Sequence, residues 1–269
     1  MPKVHLTGER ATLLATLYGR ALDARKPKPI LGDTMAAEAV DEIDFDFTKT
    51  GMRKGDDAAV ALRARHIDGW VREFLAAQPN ATVLHVGCGL DSREYRIDPG
   101  PDVRWFDVDY PDVIELRREL YPARDGYEMV GSSVVEPAWL EQVPADSPVL
   151  VVAEGLTMYL SEVDGKALLG RIVRSFPCGQ FVFDALSRRG IKMQVLNKAI
   201  QAAGAKVAWG IDSGAELEAI DSRLRCVTAL SAMDLDGYEE LKPAYRLLVK
   251  LLKKFPSMKN MAVFYRLEF

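Results

Sequence analysis

The sequence has only three histidines, His5, His66 and His85, and only three cysteines, Cys88, Cys178 and Cys226. Three is not an even count and the cysteines keep no metal-ligand spacing, so a disulfide scaffold and a cysteine-held metal are excluded, and no metal is expected. A reducing, cytoplasmic setting is the expectation. No apolar run approaches the length of a membrane span, and the first residues carry no leader pattern. An excess of positive charge is also missing: the net charge is -4, which argues against a nucleic-acid partner. Internal repeats and low-complexity segments are absent. The shortage of histidine bears on chemistry as well, because few side chains remain that titrate near neutrality.

What is present is a chain of 269 residues, 48% of them hydrophobic, long enough for one large domain or a domain with a cap. Its centre of organisation is residues 82–109. The apolar run Thr82 to Val86 leads into a glycine turn, Gly87-Cys88-Gly89, then Leu90-Asp91-Ser92-Arg93. A second apolar run, Val103 to Phe106, ends in Asp107 and Asp109. The pattern reads as strand, turn, helix, strand, acidic tip. An acid about 20 positions after the glycines accepts hydrogen bonds from both hydroxyls of a ribose. A dinucleotide turn needs a third glycine and a helix N-terminus facing a pyrophosphate. Here no third glycine follows, and Asp91 places negative charge where the pyrophosphate belongs. A cationic sulfonium nucleoside, S-adenosylmethionine, has no phosphate and tolerates that acid. An NAD-dependent oxidoreductase and a non-catalytic nucleoside-binding module stand as alternatives.

Residues 7–25 read as an amphipathic helix capped by Thr7, and Asp33 or Thr34 caps a second helix, Met35 to Val40. Residues 41–57 read as a mobile loop and Ala58 to Ala77 as a third helix. Residues 1–78 thus form a helical cap or lid ahead of a core at 79–269. From residue 82 strands alternate with helices, with strands near 127–134, 149–153, 180–185, 225–229 and 262–269, which predicts a doubly wound α/β sheet. Residues 187–210 read as a helical insertion, whose Met193, Val195, Leu196, Ile200 and Trp209 either line an apolar acceptor pocket or form the core of the lid. In the helix 238–254, Leu247, Leu248, Leu251 and Leu252 share one face. The expectation is an outer helix covering the sheet with solvated lysines, in preference to membrane-surface binding.

The segments LHVGCGLDSREYRID, WFDVDYPDVIELRREL and VVAEGLTMYL, in this order and spacing, resemble the leucine carboxyl methyltransferase family, in its bacterial branch of polyketide O-methyltransferases. The likeness runs from about the lysine-proline stretch at residue 26 to the last strand. It implies a class I methyltransferase (Rossmann-like) seven-stranded sheet with an antiparallel last strand. It implies S-adenosylmethionine as donor, and a small-molecule acceptor. Gly87 then matches the glycine beside the methionine part of the donor, with Gly89 in the same turn. Asp109 matches the acid on the ribose, with Asp107 as its rival. Ser133 and Val134 fall where the family places an Asp-Leu pair around adenine, so the serine is a departure. Glu154 matches the acid at the end of the fourth strand, Arg63 or Arg65 the arginine on the donor carboxylate, and Arg20 an assisting cation.

Methyl transfer is an in-line displacement in which the protein aligns and desolvates two reactants. A carboxylate acceptor, with a pKa of about 4, is already ionised, whereas a phenol at about 10 is not. His85 and His66 read as structural, so no strong base is visible, and the expected acceptor is a carboxylate or an acidic hydroxyl, with a polyketide-like body suggested by the apolar insertion. Tyr159 is the candidate to face the acceptor. Asp91 and Arg93 are expected to pair and shape the turn. Cys88 has no neighbouring base or metal partner to make it a nucleophile. Neither the acceptor's identity nor the oligomeric state is legible.

Overall fold

The computed structural model describes residues 8–52, 55–194, 201, 203–237, 241 and 243–269. Seven strands form one sheet: β1 (Thr82–Val86), β2 (Arg104–Asp109), β3 (Tyr127–Gly131), β4 (Val149–Ala153), β5 (Gly179–Leu186), β6 (Arg225–Ser231) and β7 (Ala262–Glu268). Their order is β3-β2-β1-β4-β5-β7-β6. β1 to β5 are mutually parallel, and β7 runs antiparallel to β5 and β6. The doubly wound sheet with an antiparallel last strand is therefore present. The chain order reverses between β1 and β4, and the crevice at their carboxyl ends is where such sheets hold ligands.

Both faces of the central strands are buried, which is why β1 and β4 are apolar without alternation. The pleat still sorts their side chains. Val83, Trp105, Leu150, Val152 and Val182 pack against Leu62, Ile67, Trp70 and Phe74 of α3 (Asp56–Ala77). Leu84, Val86, Val151, Phe181 and Phe183 meet Leu168, Leu169, Ile172 and Val173 of the helix Glu162–Ser175 on the other face. Ser161 caps that helix by accepting the Asp164 N–H at 3.0 Å.

Ahead of the sheet lie α1 (Thr12–Ala24) and α2 (Thr34–Glu42). Asp33 is the cap of α2, accepting the Ala36 N–H at 3.1 Å; the Thr7 cap expected for α1 lies outside the described residues. α1 and α2 build a third cluster with Leu90, Val113, Leu116 and Tyr121 from the core. The stretch expected as a mobile loop differs from that reading. Ile43 and Phe47 are buried in this cluster, and the Phe47 ring stacks on Tyr18 at 5.4 Å. A polar-rich segment is held by these two apolar residues among others.

Two later segments also depart from expectation. Arg188–Met193 is helical, but 205–213 is not, because Trp209 and Ile211 enter the core and the Ile211 N–H donates to the Leu186 carbonyl at 2.8 Å. Val195, Leu196 and Ile200 lie outside the described residues. In the helix Pro243–Leu252, Leu247 (60%), Leu248 (49%) and Leu251 (48%) are exposed instead of covering the sheet. No helix of the described residues is long and apolar enough to cross a membrane.

Two stability predictions follow from buried charge. Asp68 of α3 is 1% exposed and accepts from Arg93 at 2.7 Å and Arg96 at 2.8 Å. Asp68→Ala leaves both guanidinium groups short of charge, and urea titration is expected to show a loss of roughly 3–5 kcal/mol. Glu94 has one carboxylate oxygen 3.0 Å from Arg124 and the other buried without a partner. Burial raises its pKa to about 7 from 4.5, against the pull of Arg124. The folded state keeps a proton that the unfolded chain releases, so stability falls as pH rises from 4.5 to about 7 and is level above. Melting temperatures at about pH 5 and 8 are expected to differ less in Glu94→Gln than in the parent.

Candidate functional site

A cavity of about 610 Å³ opens at the carboxyl ends of β2, β1, β4 and β5. Its floor is the turn after β1. Gly87 has φ +64°, and a Cβ there would lie 2.8 Å from Leu156 Cδ1, so only glycine keeps this turn. Gly89, at φ +53°, aims its N–H at Asp109 Oδ2, 2.7 Å away. The Tyr110 N–H donates to Asp109 Oδ1 at 2.8 Å. Each carboxylate oxygen keeps a further lone pair for a ligand hydroxyl. Asp109 forms no ion pair within 4 Å among the described residues, and its burial raises its pKa despite the two backbone donors.

Asp107 and Asp109, two apart on β2, share a face of the sheet, and position along the strand separates them: Asp109 at the strand end lines the cavity, whereas Asp107 lies further in and has no exposed surface. It binds Arg117, the Tyr127 hydroxyl at 2.6 Å, Trp105 Nε1 at 2.9 Å and His85 Nδ1 at 3.1 Å. Arg117 in turn donates to the Gly89 and Asp91 carbonyls at 2.9 and 2.8 Å, so this pair shapes the turn from behind. His85 Nε2 lies 3.3 Å from Arg93, which engages both ring nitrogens and makes the residue a strut. Burial pushes the Cys88 thiol well above its usual range, which agrees with an inert side chain.

Behind the turn lies a network of buried ion pairs. Arg93 meets Asp68, Asp91 at 3.2 Å and Glu154. Arg96 bridges Asp33, Asp68 and Asp91. Arg20 of α1 donates to the Leu90 carbonyl at 2.9 Å and lies 3.3 Å from Asp33 in a direction that leaves its Nε without a hydrogen bond. Burial alone would raise the Asp91 carboxyl, but Arg93, Arg96 and Arg20 hold it well below the usual range. The expected Asp91–Arg93 pair is thus one link in a larger network.

Glu154 caps β4 and lines the cavity. Arg63 Nε donates to it at 2.8 Å and Arg93 from the other side, and the two arginines hold its carboxyl below the usual range against the effect of burial. Of the two arginines in α3, Arg63 faces the cavity. Arg65 does not line it and donates instead to the Asp236 carbonyl at 3.0 Å, because two residues along a helix turn the side chain through about 200°. Ser133 and Val134 line the far end beyond Asp109, and Tyr159 lines the end beyond Glu154.

Sequence reasoning passed over two lining residues. Tyr110 follows Asp109 and closes the cavity beside it. Asp184 ends the apolar stretch of β5 beside Glu154, holds the Gly155 N–H at 2.6 Å and lies 3.5 Å from Arg63 Nη1. An acid at the end of an apolar strand is the signal that identified Glu154, and it was available for Asp184 too. The expected acceptor-side residues are placed elsewhere: Trp209 is in the core and Met193 is 42% exposed on the surface, and neither lines the cavity. Leu186, Leu235, Leu241, Val249 and Phe264 form the apolar wall instead.

Five arginines (Arg20, Arg63, Arg93, Arg96, Arg117) face eight carboxylates (Asp33, Asp56, Asp68, Asp91, Asp107, Asp109, Glu154, Asp184) in and around the cavity. The surplus is negative; Asp109 has no ion pair among the described residues, and Asp184 has a 3.5 Å contact with Arg63. This suits a ligand that brings a positive charge.

The comparisons with known proteins agree. The family model for leucine carboxyl methyltransferase matches residues 13–126. The tetracenomycin polyketide synthesis O-methyltransferase TcmP of Streptomyces glaucescens is 43% identical over 256 residues, 95% of each chain. The S-adenosyl-L-methionine-dependent methyltransferase dpfgK of Gibberella zeae is 38% identical over 237 residues, 80% of each chain. In fold, a DUF574 family protein from Streptomyces avermitilis superposes with a TM-score of 0.62 over 97% of each chain at 11% identity. The glycine turn, the acids at the ends of β2 and β4 and the likeness over nearly the whole length lead to one assignment: the chain belongs to the leucine carboxyl methyltransferase family of S-adenosylmethionine-dependent methyltransferases.

Proposed function

We propose that the chain transfers a methyl group from S-adenosylmethionine to a carboxylate or acidic hydroxyl oxygen of a small, apolar molecule. The observation that carries this reading is Asp109: a buried carboxylate without an ion pair among the described residues, on the floor of the cavity, beside a turn that only glycine permits. Bound there, the donor supplies a methyl group activated by its sulfonium sulfur.

The roles follow from position. Asp109 takes the ribose hydroxyls, and Gly87 and Gly89 let the donor lie against the backbone. Ser133 and Val134 flank the adenine. The Val134 carbonyl already accepts from Trp139 Nε1 at 3.2 Å, which leaves the Ser133 hydroxyl as the polar group offered to the base. Arg63 takes the donor carboxylate, with Glu154 holding the guanidinium in place. Arg65 has no role in the donor site. Tyr159, with the apolar wall of Leu186, Leu235 and Phe264, faces the acceptor. Residues 8–77 act as the lid, since α1 and α3 both supply cavity residues. The relative TcmP is named for tetracenomycin polyketide synthesis, and an acceptor with an aromatic, polyketide-like body fits the apolar wall of this cavity. A soluble enzyme of the cytoplasm is the setting that matches the composition.

A thermal-shift titration is expected to raise the melting temperature with S-adenosylmethionine and to leave it unchanged with NAD. A shift with NAD alone would favour the oxidoreductase alternative. Asp109→Ala removes two hydrogen bonds to a charged acceptor, so calorimetry is expected to show donor affinity falling about 10- to 100-fold or more. Unchanged affinity would refute the ribose assignment.

A further inference from the structure

Asp184 is assigned no donor contact above and reaches the donor site only through Arg63, 3.5 Å away, yet it lies in the same cavity. The register pairs Ala153 with Phe183, so Asp184 on β5 stands level with Glu154 on β4. Across the sheet the order is β2, β1, β4, β5. The donor reading uses Asp109 on β2, the turn after β1 and Glu154 on β4, and Asp184 is one strand further, on the acceptor's side. Around it the cavity is apolar, with Leu186 next on β5, Phe264 opposite on β7, and Leu235. A carboxylate in such a wall is costly to desolvate and is tolerated only with a partner. Its Oδ1 has one in the Gly155 N–H, and among the described residues its Oδ2 has Arg63 alone, at 3.5 Å.

We propose that Asp184 accepts the proton of the acceptor's O–H group during methyl transfer, and that the acceptor enters the cavity as a neutral phenol or enol on an apolar body. The proposal rests on the methyl-transfer reading of the cavity and adds to it the base that the sequence did not display. The surplus of carboxylates disfavours an acceptor that arrives as an anion, so the O–H proton has to leave inside the site. No described histidine is placed to take it: His85 is engaged at both nitrogens, and His66 packs edge-on to Trp70 and Phe264. Glu154, gripped by two arginines, is a poor proton acceptor.

In the step, the acceptor oxygen forms the new O–CH3 bond while the methyl–sulfur bond breaks and its electron pair stays on sulfur. The O–H proton passes to Asp184 Oδ2 and is later released to solvent. The balance is donor plus neutral acceptor giving thioether, methylated acceptor and one proton. The charged groups facing Asp184 are Arg63 from α3 and Glu154 from β4; β7 presents the uncharged Phe264. Burial sets its pKa above the ordinary carboxylate value, against the pull of Arg63, which improves it as a base at neutral pH.

The test uses Asp184→Asn, which keeps the acceptor atom for the Gly155 N–H. Donor affinity is read by calorimetry and methyl transfer by label incorporation, with 2-naphthol, 2-naphthoic acid and ionised 4-nitrophenol as acceptors. The expected result is donor affinity changed far less than catalysis, since Arg63 keeps Glu154 as its partner, with kcat/KM down about 10²- to 10⁴-fold on the neutral acceptor, loss of the acidic limb of its pH profile, and a loss of at most about threefold on the pre-ionised phenol. The naphthol and naphthoic acid arms tell a hydroxyl from a carboxyl acceptor. An equal loss on all three acceptors, a retained acidic limb, or a parent protein that binds donor yet fails to methylate 2-naphthol would overturn the proposal. A parent protein that does not bind donor would overturn the functional reading instead.

Discussion

Arg93 has no exposed surface and touches Asp68, Asp91 and Glu154 together. Charge taken that far from water is tolerated only when each group finds its partner. The three acids come from α3, from the turn after β1 and from the end of β4. The helix, the turn and the strand therefore have to arrive in one arrangement before the arginine can be buried. Arg96 and Arg20 extend the same demand to Asp33 and so to the cap of α2. The glycine turn is thereby clamped from one side by this network and from the other by Arg117 and Asp107.

That clamping explains why the cavity is chemically uneven. The carboxylates behind the turn are matched by arginines, whereas two of those facing the cavity are short of positive charge: Asp109 has no ion pair among the described residues, and Asp184 has a 3.5 Å contact with Arg63. Both have their pKa raised by burial, and a ligand bearing positive charge relieves that cost on binding. Affinity for a sulfonium nucleoside and the capacity to take a proton thus have one physical origin, an incomplete neutralisation at the carboxyl edge of the sheet. The arrangement is built before any ligand arrives, which limits the reorganisation needed at the moment of reaction.

Some of this was legible in the residues. Gly87, Gly89, Asp109 and Glu154 stand at the ends of apolar runs, and strand ends are readable because a buried parallel strand is apolar throughout and stops abruptly. Arg63 and Arg65 were not separable, since α3 buries residues on several sides of its circumference. Asp184 was missed because it lies inside β5, which runs on to Leu186 along β7 after its pairing with β4 has ended at Phe183. The leucines of Pro243–Leu252 show the same limit: a stripe at helical spacing states that one face is apolar and says nothing about which way that face is turned.

By itself the sequence determined the α/β alternation, the glycine turn with an acid-tipped strand after it, and through three ordered motifs the family. These are local properties, set by periodicity and by residues close along the chain. Only the tertiary structure showed that Asp109 and Arg63, in place of Asp107 and Arg65, line the cavity, put Trp209 in the core and brought Asp184 beside Glu154. Those outcomes depend on which face of an element meets its neighbour and on how charges from distant segments balance once water is excluded.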